Sequence, residues 1–250
     1  MPVRAVSLDL FDTLVDLHFD RLPAPELGGR AVPSTLGAQH AVLAERGHDV
    51  ELESYARALA DSDRELAESH WKRGLEVPTR LRFERLRDRL GLTDPELPEA
   101  LTRRHMGGIA SVAEVPAHHP RTLEDLAARF RLGLCSNFSH AETALAILAQ
   151  GGLRPHLSAV VISETTGYRK PRSEIFAAVL GELGIEAGET VHVGDRLTDD
   201  VAGASAVGMR TVWLTRRVRD PAKALREHTG PHRTWIVEDL GELRALLERA

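Results

Sequence analysis

Six short apolar runs, most of them rich in β-branched residues, set the frame of this chain: Val3 to Leu8, Leu132 to Cys135, Ala159 to Ile162, Thr190 to Val193, Thr211 to Leu214 and Trp235 to Val237. Each is the length of a strand and apolar enough to be buried on both faces. Between the later runs lie helical patterns, at Thr122 to Phe130, Ala141 to Ala149, Glu174 to Leu183, Asp199 to Val207 and from about Leu240 onward. Strands that alternate with helices in this way predict an α/β fold, a doubly wound parallel sheet covered by helices on both faces.

The interval from about His18 to Glu114 breaks the alternation. It contains no convincing strand and carries helical periodicity at Thr35 to Arg46, Leu52 to Lys72, Thr79 to Leu90 and Pro95 to His105. Its entrance, LPAPELGGRAVPS, is rich in proline and glycine and reads as an ordered loop or hinge. The expected organisation is an α/β core domain of residues 1–16 and 115–250, interrupted by a helical domain of residues 17–114. Within that domain, Leu81, Phe83 and Leu86 are expected to pack inward from one amphipathic helix.

Composition excludes several classes of function. The chain has 250 residues, is 42% hydrophobic and 28% charged, and its net charge of -5 is not gathered into a basic patch. A nucleic-acid partner is not expected. The single cysteine, Cys135, excludes an internal disulfide and a cysteine-rich metal site, which fits a reducing, cytoplasmic setting. Asp9, Asp12 and Asp16 interrupt the apolar start, so neither a signal peptide nor a membrane span is expected. The oligomeric state is not legible.

In an open parallel sheet, ligands bind beyond the carboxyl ends of the strands. Asp9 closes the first strand, Ser136 and Asn137 the LGLC strand, and Asp195 the VHVG strand, with Asp199 and Asp200 soon after; Lys170 lies in the loop GYRKP. If the strands are neighbours, Asp9, Asp195 and either Asp199 or Asp200 converge. Clustered carboxylates repel one another unless a cation intervenes, so a hard divalent metal, Mg²⁺ by preference, is the expected cofactor. Lys170 and Ser136 would offer donors to an anion beside it.

Four segments in this order resemble the motifs of the haloacid dehalogenase superfamily of hydrolases, in its helical-cap (C1-type) subgroup. DLFDTL at Asp9 to Leu14 is similar to the nucleophile motif, CSN at Cys135 to Asn137 to the second, GYRKPRSEIF at Gly167 to Phe176 to the lysine motif, and GDRLTDDVAGA at Gly194 to Ala204 to the acidic motif. The resemblance implies that Asp9 is the nucleophile, forming a covalent aspartyl intermediate that water hydrolyses. It implies catalytic roles for Ser136 and Lys170, substrate contacts for Ser136, Asn137 and Lys170, and a Mg²⁺ site of Asp9, the backbone carbonyl of Phe11, Asp195 and Asp200.

One position departs from the family's phosphatases. There the residue two after the nucleophile is a second aspartate that protonates the leaving group; here it is Phe11. General acid catalysis is typically worth about 10² to 10⁴ in rate, so Phe11 disfavours an ordinary sugar phosphatase. The family's dehalogenases commonly carry an aromatic there, because a halide leaves without a proton, yet their fourth motif lacks the glycine-aspartate pair that Gly194 and Asp195 retain. The first expectation is therefore a Mg²⁺-dependent phosphatase-type hydrolase of a small phosphorylated metabolite. The alternatives are a 2-haloacid dehalogenase or other carbon-centred hydrolase, and a non-catalytic protein that binds a phosphorylated ligand. Asp12 is expected to be a turn residue rather than a substitute acid.

Twelve histidines form no HExxH pattern, and adjacent His118 and His119 would point to opposite sides of an extended chain. His140 is expected at a helix start, and Cys135 as a buried bystander.

Overall fold

A computed structural model describes residues 2–230 and 234–249, and in it the chain divides into two compact units, Met1–Asp16 with Glu114–Ala250 and Leu17–Ala113. The first is an α/β unit. Its strands are β1 Ala5–Leu8, β2 Arg131–Ser136, β3 Ala159–Ile162, β4 Thr190–Gly194, β5 Arg210–Leu214 and β6 Thr234–Val237. They form one sheet in the order β6-β5-β4-β1-β2-β3, parallel throughout. Sequence order therefore runs outward in both directions from β1, which places the topological switch point at that strand.

Register then decides what meets. Leu8 lies level with Leu134 on one side and Val193 on the other, so Asp9 leaves the sheet beside Cys135 and Gly194. The Asp9 amide still donates to the Val193 carbonyl at 2.9 Å. The sheet interior is apolar, as the continuous runs demand: Val6, Leu8, Leu134, Cys135, Val191, Val193, Val212 and Leu214 are all buried.

The second unit is built on four helices, α1 Leu36–Glu45, α2 Leu52–Ser69, α3 Thr79–Arg89 and α4 Leu97–Ser111. Leu43, Tyr55, Leu59, Phe83, Leu86, Leu97 and Leu101 form its core, while Leu81 is only half-buried. A polar chain runs through it: Tyr55 donates to Gln39 Oε1 at 2.9 Å, Gln39 donates to Thr35 Oγ1 at 2.7 Å, and Thr35 meets His105 Nδ1 at 2.6 Å. Every buried polar atom in that chain has a partner, as burial requires.

Several expected elements differ in detail. The LPAPELGGRAVPS segment is not a plain loop: Glu26–Leu27 and Arg30–Ala31 pair antiparallel around Gly28 and Gly29, both of which have positive φ. The helix expected to reach Lys72 ends at Ser69 and is followed by a 3₁₀ turn at Trp71–Arg73. The helix expected from Thr122 begins at His119, because Pro120 stands in its first turn, where a missing amide hydrogen costs nothing. A short helix at Pro221–Glu227 carries too little apolar periodicity to be read from sequence. Among the described residues, no helix is long and apolar enough to cross a membrane.

Candidate active site

Three carboxylates and one ammonium meet at the carboxyl ends of β1 and β4. Oxygen atoms of Asp9, Asp195 and Asp200 lie within 4.8 Å of one another. Lys170 Nζ donates to Asp9 Oδ1 at 2.5 Å and to Asp200 Oδ1 at 2.6 Å, with all three side chains buried. The structure thus selects Asp200 over Asp199, which is half-buried and paired with Arg196 at 3.4 Å.

Backbone geometry explains the selection. Residues Leu197–Ala202 form a π-helical turn, in which the Val201 amide reaches back to the Arg196 carbonyl at 3.2 Å. Such widened turns are uncommon and recur at functional sites. Asp200 folds back over the end of β4: Oδ2 accepts the Arg196 amide at 2.9 Å, and Oδ1 faces His192 Nε2 at 3.1 Å. This is possible because residue 194 is glycine, where a Cβ would lie 2.2 Å from Asp200 Cγ. Gly203 does the same for the lysine loop, since its Cβ would meet Pro171 Cα at 2.9 Å.

His192 belongs to the site although sequence reasoning passed over it. It is fully buried in β4, with Nδ1 3.0 Å from Ser7 Oγ and the Phe176 ring edge-on at 5.3 Å. Because Asp200 only accepts, Nε2 carries the hydrogen and Nδ1 accepts from Ser7. Burial lowers its pKa, so the ring stays neutral and holds Asp200 by a hydrogen bond. The available signal was a titratable residue in an otherwise apolar strand, two positions before Gly194.

Electrostatics divide the acids. Burial would raise Asp200, but Lys170 and then His192 outweigh it and hold the carboxyl well below the usual range. Burial raises Asp9 to about 6, with Lys170 opposing and Asp200 reinforcing the shift. Asp195, raised first by burial and then by the charges of Asp9, Asp200 and Asp12, reaches about 8. Burial opposes the Lys170 charge as well, yet Asp200 and Asp9 keep it firmly protonated. One ammonium neutralises two carboxylates only in part, and Asp195 bears the excess. An all-oxygen donor set with surplus negative charge fits a hard divalent cation such as Mg²⁺.

The remaining expected residues fall as follows. Ser136 is buried at the end of β2. Asn137 holds the lysine loop: its Oδ1 accepts the Lys170 amide at 2.7 Å and its Nδ2 donates to the Lys170 carbonyl at 3.0 Å. Phe11 is half-buried and packs edge-to-face on Phe138, with centroids 4.9 Å apart. Asp12 occupies a left-handed turn at φ 56°, its amide donating to the Val15 carbonyl at 2.7 Å and its carboxylate 3.3 Å from Arg217 Nε. His140 caps the helix Ala141–Gln150, accepting the Thr143 amide. Cys135 is buried in apolar surroundings that push its thiol up to about 12.

The six-stranded parallel sheet, the acidic turn after β4 and the lysine loop define a class of hydrolase. The haloacid dehalogenase-like hydrolase family matches residues 3–208, and the chain belongs to it. Among curated proteins the chain is similar to the glyceraldehyde 3-phosphate phosphatase of Methanopyrus kandleri, 29% identical over 219 residues that cover 86% of this chain and 84% of that one. It is also similar to the pyrimidine 5'-nucleotidase YjjG of Escherichia coli, 30% identical over 66% of this chain and 69% of that one. Among solved structures, a 2-haloacid dehalogenase from Pseudomonas syringae pv. Tomato DC3000 shares the fold, with a TM-score of 0.73, 23% identity and 99% of both chains covered.

Proposed function

We propose that this hydrolase is a phosphatase acting on a small phosphorylated metabolite, with Asp9 as nucleophile and residues 17–113 as its cap. The observation that carries the reading is the cluster of Asp9, Asp195 and Asp200 around a single lysine. That surplus of buried negative charge suits a phosphoryl-transfer site completed by Mg²⁺, and the two curated relatives named above are both phosphate-ester hydrolases.

Asp9 and Asp195, with the Phe11 carbonyl, would hold the ion, and Asp200 would support it through its charge. Bound there, it would neutralise the phosphoryl oxygens as charge builds on them. The protein's own residues do the rest. Asp9 Oδ1 is fixed by Lys170, which leaves Oδ2 to attack phosphorus; the bond from phosphorus to the ester oxygen breaks, the alcohol or phenol departs, and water then hydrolyses the aspartyl phosphate to inorganic phosphate and free Asp9. Lys170 stays charged throughout and steadies both the nucleophile and the incoming anion. Asn137 and His192 hold Lys170 and Asp200 in place from behind. By this reading the leaving oxygen receives no proton from a second aspartate, since that position in the sequence is Phe11, which packs on Phe138, and Asp12 is paired with Arg217. Substrates whose leaving groups are weak bases are therefore favoured.

Phe11 is also the one observation that favours a second reading, hydrolysis of a carbon-halogen bond, in which no leaving-group proton is needed. Parallel assays of an aryl phosphate, a sugar phosphate and 2-chloropropionate, each with and without Mg²⁺, separate the two. Mg²⁺-dependent release of phosphate from the aryl ester supports the phosphatase; metal-independent chloride release with no phosphatase activity overturns it.

A further inference from the structure

A second constellation of metal-ligand type lies in the α/β unit, built from residues that the reaction does not use. His118, His119 and Asp239 each place one donor atom within 4.8 Å of the others. The adjacent histidines do not diverge as an extended chain would have them. Pro120 starts the helix His119–Ala127 at this point, so His118 is its N-cap and the two rings stand edge-to-face with centroids 4.7 Å apart. His118 Nε2 reaches Asp239 Oδ1 at 2.9 Å.

His119 supplies the independent sign of a ligand. It is completely buried, and its Nδ1 lies 2.8 Å from the Leu14 carbonyl. A carbonyl only accepts, so Nδ1 carries the hydrogen. Burial lowers the pKa of the ring, which leaves Nε2 with a bare lone pair. Among the described residues that buried Nε2 has no hydrogen-bond partner. An imidazole whose second nitrogen is fixed on a backbone carbonyl is the usual posture of a metal-bound histidine. The nearby charge of Arg216 would oppose a cation, but Asp16 binds both ends of that guanidinium.

We infer that His118, His119 and Asp239 form a second cation site, for a borderline divalent ion such as Zn²⁺ or Co²⁺. Two imidazole nitrogens and one carboxylate suit these ions and not Mg²⁺, which takes oxygen donors. His118 is exposed and Asp239 half-buried, which gives the ion a way in and leaves room for water as a fourth ligand. To bind, His118 adopts its other tautomer and frees Nε2. The ion would tie three distant stretches of chain together: the turn after Asp9 through Leu14, the first helix after the return from residues 17–113, and the C-terminal segment at Asp239.

The test is a Co²⁺ titration of the untagged full-length protein, followed by visible absorption in saturating Mg²⁺, with Zn²⁺ competition. One equivalent of Co²⁺ should bind, with Mg²⁺ unable to displace it and Zn²⁺ displacing it. His118→Ala, at an exposed position, should weaken binding about 10-fold to 100-fold, in the range of losses at metal sites. Asp239→Asn should do likewise, while Asp195→Asn should bind Co²⁺ as the unmodified protein does. Absence of stoichiometric binding, equal affinity in His118→Ala, or loss of binding in Asp195→Asn or in Mg²⁺ would each overturn the site.

Discussion

Gly194 and Asp200 are in such close contact that a single methyl group on the glycine would lie 2.2 Å from the carboxylate carbon. Asp200 is thereby pressed onto the end of β4, where it takes hydrogen bonds from Lys170, His192 and the Arg196 amide. The glycine is thus a steric condition for the ion-pair network, and the network in turn sets the position of Lys170 against Asp9.

Gly194→Ala should consequently displace Asp200 and loosen Lys170. A misplacement of about 1 Å at such a site can cost on the order of 10²-fold in rate, and overpacking about 1 to 3 kcal/mol of stability. Comparison of kcat/KM and thermal midpoint with the unmodified protein reads both. An unchanged rate would mean that the close approach has no catalytic consequence.

Asp9→Asn removes the attacking carboxylate and keeps its shape and its ability to accept from Lys170. Hydrolysis should vanish while the circular dichroism spectrum is preserved. Turnover retained by this variant would remove Asp9 from the mechanism.

Phe11→Asp restores a carboxyl where the proposed phosphatase lacks one. Unmodified protein should hydrolyse aryl or acyl phosphates measurably and alkyl phosphates barely. In the variant the dependence on leaving group should flatten, with alkyl phosphates gaining up to roughly 10² to 10⁴, less the cost of breaking the Phe11–Phe138 pair. For a dehalogenase the same change would slow chloride release, because a new charge beside Asp9 repels a carboxylate substrate. A leaving-group series on both proteins decides, and no change in either activity would mean that residue 11 does not face the reacting centre.

Asp16 and Arg216 predict a pH dependence of stability. Burial raises the Asp16 carboxyl, but two hydrogen bonds from Arg216 outweigh it and bring its pKa below the ordinary 3.8. A carboxyl depressed on folding contributes its stability above the unfolded value and loses it as the pH falls through the folded one. Asp16→Asn should therefore cost about 2 kcal/mol at neutral pH, the scale of hydrogen bonds to a charged group. The cost should shrink as the pH drops below 3.8. Urea melts of both proteins across that range measure it, and a gap that stayed constant with pH would show that the pair's charge is not what matters.

Much of the scaffold was legible because short apolar runs rich in β-branched residues, alternating with helical patterns, fit the strands of a parallel sheet covered by helices. The runs at Val3 to Leu8 and Thr190 to Val193, with polar residues just beyond them, already placed Asp9 and Asp195 at strand ends. The interval of helical periodicity marked a separate, mainly helical unit because that periodicity is a local property, while its short pair of strands at Glu26–Leu27 and Arg30–Ala31 carried no such signal. Boundaries moved where capping overrode periodicity: with Pro120 in its first turn, the helix begins at His119, three residues before the apolar pattern does.

Tertiary structure alone decided which polar groups serve the site and which serve each other. Asp199 and Asp200 are neighbours of identical chemistry, and only the π-helical turn over Gly194 buries the second and leaves the first with Arg196. Asn137 acquires a positioning role because the lysine loop folds onto both ends of its amide. His192 gained its role from Ser7 and Asp200, one of them 185 residues away in sequence. His118 and His119 converge on Asp239 only because a helix begins between them and the C-terminal segment lies alongside. Residue type and local pattern are written along the chain and can be read there. Hydrogen-bond partnership and charge state arise from distances between segments far apart in sequence, and those exist only once the chain has folded.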